Sequence, residues 1–347
     1  MTLSRHRLAL IGFGVVGQAV AAAIQNKADQ FAAQFGQELQ LIAVTTRSRG
    51  GVYHPDGLDI GELLTIGEKS GALSDYPTSP GLQRDWDGLR LAAESNADTV
   101  IELSYTDLKT GQPAIDHCRA AFQNGKNVST ANKGPLALAY PELAALAKQH
   151  GVGFGFESTV MAGTPAMRGG ELLKRGTTIS AVSGIFNGTT NFILTQMEAN
   201  KASFADALAE AQQLAYAEAD PSGDVEGHDA AAKVVILANV LLGANISLAQ
   251  VQTNGITSLT ADDIAAAAAQ GKRWKLLGQA GREGDQIRAS VAPEMLPISD
   301  PLANVGGATN AITYQTDLLG PITLVGAGAG GPETAAGILA DVLSLGS

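Results

Sequence analysis

Hydrophobic positions along the chain follow two different rhythms. In the first part, short apolar runs alternate with Ala-rich stretches of helical period. Residues 7–11 (RLALI) have the length and character of a buried strand, and Val15 to Phe35 continue as a helical pattern. Leu39 to Thr45 is a β-branched strand candidate, and Thr99 to Leu103 reads as another buried strand. Pro113 to Gln123 then predicts a helix, Asn127 to Thr130 a strand, and Pro141 to His150 a helix opened by a proline in its first turn. Strands alternating with helices in this way predict an α/β domain over residues 1–150, with a parallel sheet covered on both faces.

Past Gly151 the rhythm changes. Thr178 to Phe186 and Ile287 to Val291 read as strands, while helices cluster at 204–217, 228–242 and 261–270. The third of these has Thr260 and Asp263 spaced as a capping box and Gly271 placed to end it. Residues 151–319 are therefore expected to form an α+β domain. The tail, a short strand, a Gly-rich turn and a helix between Ile322 and Leu345, is expected to return to the first domain over 320–347.

Composition narrows the classes. At 347 residues, 45% apolar and 16% charged, the chain has the make-up of a soluble globular protein with two domains, not of a disordered or collagenous one. Its formal net charge of −11, without a basic run, disfavours nucleic acid and anionic membrane as partners. Cys118 is the single cysteine, which fits a reducing compartment, and its Ala-rich surroundings predict an inert buried thiol. Arg5, His6 and Arg7 ahead of Leu8 to Ile24 mimic a secretory signal, but Gly12, Gly14 and Gly17 interrupt the run. A cytoplasmic location is expected.

Those glycines have a better reading. They form G-x-G-x-x-G directly after the first predicted strand and at the start of a helix, with Phe13, Val15 and Val16 between them. The first permits a tight turn, the second lets a pyrophosphate approach the backbone, and the third lets helix and strand pack closely. The helix N-terminus then offers free N–H groups to the phosphates. The expected fold is accordingly a Rossmann-type doubly wound sheet with a dinucleotide on its edge. No acidic residue follows the second strand to hold a bare ribose. Thr45, Thr46, Arg47, Ser48 and Arg49 stand there instead, a set suited to a 2′-phosphate, so NADP is expected over NAD, with NAD possible.

Three further segments carry candidate chemistry. Lys133, in Thr130-Ala131-Asn132-Lys133-Gly134-Pro135, follows a strand end on the ligand edge of the sheet. Lys233 stands four residues after Asp229 and just before VVILANVLL, an all-round apolar helix that must be buried. Such a lysine needs carboxylate company, and burial and carboxylates together can tune it for proton transfer. Asn187-Gly188-Thr189-Thr190-Asn191 is a dense polar turn between strand and helix, and the glycines of 326–331 could let backbone close over a flat ring. No His/Cys cluster has metal-ligand spacing.

In this order the segments resemble the homoserine dehydrogenases over essentially the whole chain. The likeness rests on GFGVVG, ELSYTDLKTGQPA at 102–114, STANKGPLA at 129–137, FESTVMAGTPA at 156–166, GIFNGTTNFIL at 184–194, EADPSGDVEGHDAAAK at 218–233 and GAGAGG at 326–331. The ANKGP and NGTTN segments together with D-P-x-x-D-x-x-G-x-D-x-x-x-K make it specific. The resemblance implies reversible, NAD(P)H-linked reduction of L-aspartate 4-semialdehyde to L-homoserine, in the branch leading to threonine and methionine. It implies that Lys133 and Lys233 are the catalytic lysines, one polarising the substrate oxygen and the other relaying its proton. Glu218 and Asp224 would bind substrate, with Asp229 orienting Lys233, while Ser104, Thr106 and Gly328 would lie near the nicotinamide.

It also implies a structural sodium ion on backbone carbonyls of Glu157, Val160, Ala162 and Thr164, and a homodimer built from the sheet of the middle domain. The chain ends about sixteen residues after GAGAGG, so neither feedback through a C-terminal regulatory module nor an N-terminal kinase is expected. Two other readings stay open: an NADP-linked dehydrogenase of another small amino or hydroxy acid, and a non-catalytic NADP sensor. Tyr105 and His228, each beside an expected site residue, are expected to pack rather than react.

Overall fold

The RLALI run lies within the strand β1 (Ser4–Ile11), whose last four residues are all buried. In the computed structural model, which describes residues 3–284 and 286–346, the chain forms two compact units. One runs to Gly163 and resumes at Gly330; the other is Thr164–Ala329.

In the first unit, β1 leads to α1 (Val15–Asn26) and α2 (Ala28–Phe35), then β2 (Gln37–Thr45) and β3 (Gly51–Tyr53). There follow α3 (Ile60–Lys69), β4 (Gln83–Arg84), α4 (Gly88–Glu94), β5 (Thr99–Glu102), α5 (Ala114–Gln123), β6 (Asn127–Thr130), α6 (Lys133–His150) and β7 (Phe154–Gly155). The second unit holds α7 (Ala166–Leu173), β8 (Ile179–Ile185), α8 (Gly188–Asn200), α9 (Phe204–Gln213), α10 (Ser222–Val225), α11 (His228–Leu241) and β9 (Gln252–Thr253). It continues with α12 (Ala261–Ala269), β10 (Lys272–Glu283), β11 (Gln286–Pro297), β12 (Thr309–Thr316) and β13 (Gly320–Ala327), after which α13 (Gly331–Leu345) belongs to the first unit.

The first sheet has the order β4-β3-β2-β1-β5-β6-β7. From β2 to β7 all neighbours are parallel, and β3 and β4 add an antiparallel edge. Ile11, Glu102 and Thr130 stand level at the C-terminal ends of three adjacent strands, which defines the edge where an open α/β sheet binds ligands. Leu8, Leu10, Val20, Ile24, Leu41 and Ile338 are sealed in the core on one face, each contributing about 1.5–3 kcal/mol by leaving water. Cys118 is buried on the other face, and burial pushes its thiol pKa up, as an inert packing residue requires.

The structure departs from the pattern reading in several places. The stretch from Val15 to Phe35 breaks at Lys27, where the chain turns so that Phe31 enters the core. The helix expected to start at Pro141 begins at Lys133 and runs through the proline. Pro141 cannot donate to Ala137 O, a loss of about 3 kcal/mol within a helix. Burial of Leu136, Ala137, Ala139, Leu143 and Ala147 along the same helix offsets it. The units divide at 163/164 and 329/330, where the sequence reading placed boundaries at 150 and 320. Strand β7 extends the first sheet past residue 150, and β13 pairs with β12, so only α13 returns.

In the second unit a six-stranded sheet has the order β13-β12-β8-β10-β11-β9, antiparallel except where β11 meets β9. Helices α8, α11 and α12 pack on it. Close approach is possible because Gly278 has no side chain: a Cβ there would lie 2.6 Å from Phe186 and 2.7 Å from Val234. The capping box of Thr260 and Asp263 is formed as expected. Among the described residues no helix is long and apolar enough to cross a membrane.

Candidate active site

The glycine fingerprint is built as its spacing demands. Gly12 has φ +106°, and a Cβ on it would lie 2.3 Å from Leu103 O, so no other residue fits the turn without strain. A Cβ on Gly17 would lie 2.3 Å from Gly12 O, which is the close helix–strand contact. At Gly14 nothing stands within 4 Å of that position, leaving open space at the helix start. Gly14 caps α1 without a side-chain bond, and no acidic residue lies in the first turn, so the N–H groups of Val15, Val16 and Gly17 face an end suited to an anion.

A cavity of about 620 Å³ opens beside this turn. Gly12, Phe13 and Gly14 line it together with Arg47, Arg49 and Ser104, while Thr106, on the Ser104 loop, is half-buried outside the lining. Thr45, where an acidic residue would hold a ribose, is buried and donates through Oγ1 to Trp86 O at 2.7 Å. Arg47 and Arg49 are exposed. Tyr105, expected to pack, is 73% exposed at the cavity instead, because it stands on the loop beyond the strand end.

Lys133 is the first residue of α6 and half-buried. The cap ahead of it is Asn132, whose Oδ1 accepts from Gly134 N at 3.0 Å. Its Nδ2 donates to Ser104 O at 3.1 Å and to Tyr105 O at 3.2 Å, joining the lysine-bearing loop to the cavity wall. Sequence reasoning missed Glu102 and His117, a fully buried carboxylate 3.2 Å from an imidazole that lines the same cavity. Their separation of fifteen residues has no motif; only the helix-on-strand packing brings them together.

In the second unit Lys233 is 8% exposed. Its Nζ donates to Asp229 Oδ2 at 2.6 Å and to Phe186 O at 2.7 Å, which engages two of the three ammonium hydrogens. Asn187 bridges the acidic neighbours, donating through Nδ2 to Asp224 Oδ1 at 2.6 Å and to Asp229 Oδ2 at 3.0 Å. Its own Oδ1 accepts from Thr190 N as the cap of α8. The NGTTN turn is thus both a helix cap and a clamp on two carboxylates. Burial raises the Asp224 pKa from its ordinary value, with the Asp229 charge adding to it and the Asn187 bond opposing.

Glu218 is exposed on the loop between α9 and α10. His228 is exposed too, 3.2 Å from Glu226, and does not pack as expected; it occupies the open first turn of α11. A Cβ on Gly328 would fall 2.1 Å from Asn310 Nδ2, so within this unit the glycine makes room for a buried asparagine. The carbonyl-bearing segment of Glu157, Val160 and Ala162 lies in the first unit and Thr164 in the second. Met161 and Ala162 are consecutive left-handed residues, φ +60° and +50°, a strained bend of the kind kept at ligand clamps. Among the described residues no group of three or more His, Cys, Asp or Glu is placed to hold a metal.

Comparison with known proteins agrees with this arrangement. A family model described as homoserine dehydrogenase matches residues 165–343. The NAD(+)-dependent homoserine dehydrogenase of Pseudomonas canavaninivorans is 42% identical over 99% of this chain and 97% of its own length. The homoserine dehydrogenase of Methanocaldococcus jannaschii is 39% identical over 97% of each chain. A solved hyperthermophilic archaeal homoserine dehydrogenase in complex with NADPH superposes with a TM-score of 0.83 at 31% identity, covering 99% of this chain and 98% of that one. With its fingerprint turn and its buried Lys233 built as described, the chain belongs to the homoserine dehydrogenase family.

Proposed function

We propose that the chain is an NAD(P)-dependent oxidoreductase of a CH–OH group that reversibly reduces L-aspartate 4-semialdehyde to L-homoserine, on the path to threonine and methionine. The observation that carries the chemistry is the Lys233 ammonium, held by Asp229 and Phe186 O. The dinucleotide fits the first unit: open space above Gly14, uncapped N–H groups and the adjoining cavity are what a pyrophosphate needs.

When bound, the nicotinamide cofactor would supply the hydride to, or accept it from, the carbon bearing the oxygen. Reduction places negative charge on that oxygen, which a positioned ammonium stabilises and then protonates. Lys133 and Lys233 are assigned these two tasks, polarisation and proton relay. Asp229 orients Lys233, and Asp224 with Glu218 receives the amino and hydroxyl groups of the substrate. Ser104, Thr106 and Gly328 are assigned to the nicotinamide end.

Preference for NADP is supported by Arg47 and Arg49 on the cavity lining and by the commitment of Thr45 to Trp86 O. The left-handed bend at Met161 and Ala162 fits a structural monovalent cation on carbonyls of Glu157, Val160, Ala162 and Thr164. A homodimer through the second sheet is supported by a polar row that crosses all six strands: Thr323, Thr313, Ser183, Gln279, Ser290 and Gln252 stand level. All six are half-buried or exposed, and five of them line or adjoin a cavity of about 800 Å³ on that face.

Oxidation of homoserine and of other small hydroxy acids, with NADP and NAD in parallel, tests the reading. Homoserine with NADP is expected to give the highest kcat/KM. Turnover of another hydroxy acid in preference would move the assignment to a different dehydrogenase, and cofactor binding with no turnover at all would leave a sensor.

A further inference from the structure

Beneath Lys133 lies a closed circuit of buried hydrogen bonds. Thr130 Oγ1 donates to Glu102 O at 2.9 Å and accepts from Asn132 N at 2.9 Å. Asn132 Nδ2 donates to Ser104 O at 3.1 Å, and Ser104 N donates back to Glu102 Oε1 at 3.1 Å. The same Oε1 accepts from His117 Nδ1 at 3.2 Å. Glu102 and Thr130 are 0% exposed, and Asn132 2%.

A carboxylate is an expensive way to fill this space. Taking one out of water costs several kcal/mol, and an apolar residue of similar volume closes a strand end at no such cost. What the carboxylate supplies and a leucine cannot is a fixed acceptor shared by two elements, the Ser104 loop and helix α5, while the Glu102 backbone carbonyl holds the end of β6 through Thr130. The residue after Asn132 is Lys133, so the circuit sets where that lysine starts relative to the Ser104 wall of the cofactor cavity.

We propose that Glu102 is a positioning residue for the reaction, acting through Ser104, Thr130 and Asn132 to place Lys133 against the cofactor wall, with His117 as its buried counter-group. This rests on the reading of Lys133 as one of the two reacting lysines. Glu102 itself touches neither substrate nor cofactor in this scheme. Its effect therefore belongs in kcat, because misplacement of a reacting group by about 1 Å can cost roughly 100-fold while binding contacts survive.

The test compares wild type, Glu102→Leu and Thr130→Val in thermal unfolding, NADPH affinity by fluorescence titration, and kcat and KM for homoserine. Leu keeps roughly the volume of Glu102 but removes the oxygen that accepts from Ser104 N and His117, and Val keeps the shape of Thr130 but opens the circuit. Both folded variants are expected to lose about 10- to 100-fold in kcat with NADPH affinity and homoserine KM within about threefold of wild type. The double variant is expected to lose little more than the worse single one, since one circuit is broken once or twice. If Glu102→Leu does not fold, Thr130→Val carries the same comparison. Wild-type kcat in a folded variant, or a loss confined to cofactor affinity, overturns the proposal. An inactive wild type on homoserine would instead defeat the underlying reading of the function.

Discussion

Two single methyl groups separate what holds the first unit together from what binds its cofactor. In Gly17→Ala the new Cβ would sit 2.3 Å from Gly12 O and 3.4 Å from Leu10 Cδ2. The nearer neighbour is backbone and cannot rotate aside, so α1 must move about 1 Å off β1 to restore ordinary contact; such overpacking costs about 1–3 kcal/mol. The better helix propensity of Ala returns up to about 1 kcal/mol, leaving a net loss near 1–2 kcal/mol. In Gly14→Ala the Cβ meets nothing within 4 Å, and the cost is that of a poorer cap, about 0.5–1 kcal/mol. The methyl would stand where the pyrophosphate approaches, so NADPH affinity is expected to fall about 10- to 100-fold, or 1.4–2.8 kcal/mol. Thermal unfolding and fluorescence titration with NADPH, run on both variants, read the two effects apart. Gly14→Ala should bind poorly and melt close to wild type, whereas Gly17→Ala should melt lower. A Gly14→Ala variant with wild-type NADPH affinity would refute the placement of the dinucleotide.

Other outcomes follow from the same structure. Burial raises the Asp224 pKa, so its charge is disfavoured in the folded state and stability falls as pH rises from the unfolded value through the folded one. Asp224→Asn is therefore expected to melt higher than wild type at neutral pH while losing at least tenfold in kcat/KM for homoserine; unchanged turnover would remove Asp224 from the site. Lys275, 3% exposed and bonded to Asn191 Oδ1 and Val305 O, has its pKa lowered to about 8 by burial. Between about 8 and the ordinary lysine value the unfolded chain binds the extra proton, so denaturant-measured stability should rise with pH across that window by up to about 1.4 kcal/mol per unit. Lys275→Met should lack that rise. Arg47→Glu is expected to raise the KM for NADP about tenfold or more and leave that for NAD nearly unchanged; equal values for NADP in wild type and variant would make Arg47 a solvated loop charge.

The parts of this molecule that could be read from sequence are those specified by local rules. Strand β6 was legible to the residue because β-branched Val128 and Thr130 alternate there between the turn residues Asn124-Gly125 and Asn132, and the fingerprint glycines were legible because each meets a steric demand within a few residues. The break at Lys27 and the passage of α6 through Pro141 were not, because tertiary packing of Phe31 and Leu143 decides them. Strand β10 went unread: KRWKLLGQAGRE is charged at both ends and interrupted by two glycines, and its partner β11, only part of which showed a strand pattern, supplies the ladder that defines it. In the site, Asp229 and Lys233 could be paired by their helical spacing, but the role of Asn187 as a clamp on Asp224 and Asp229 depends on a separation of about forty residues that only the fold closes. The Glu102–His117 pair escaped for the same reason.

Lys133 and Lys233 are proposed to act in one reaction, and single-turnover homoserine oxidation by wild type, Lys133→Ala, Lys233→Ala and the double variant tests this most directly. Each single replacement should lower the rate at least 1,000-fold while NADPH still binds, and the double variant should be little slower than the worse single one, as for groups that serve the same transition state. A rate in Lys133→Ala or Lys233→Ala within tenfold of wild type would contradict it.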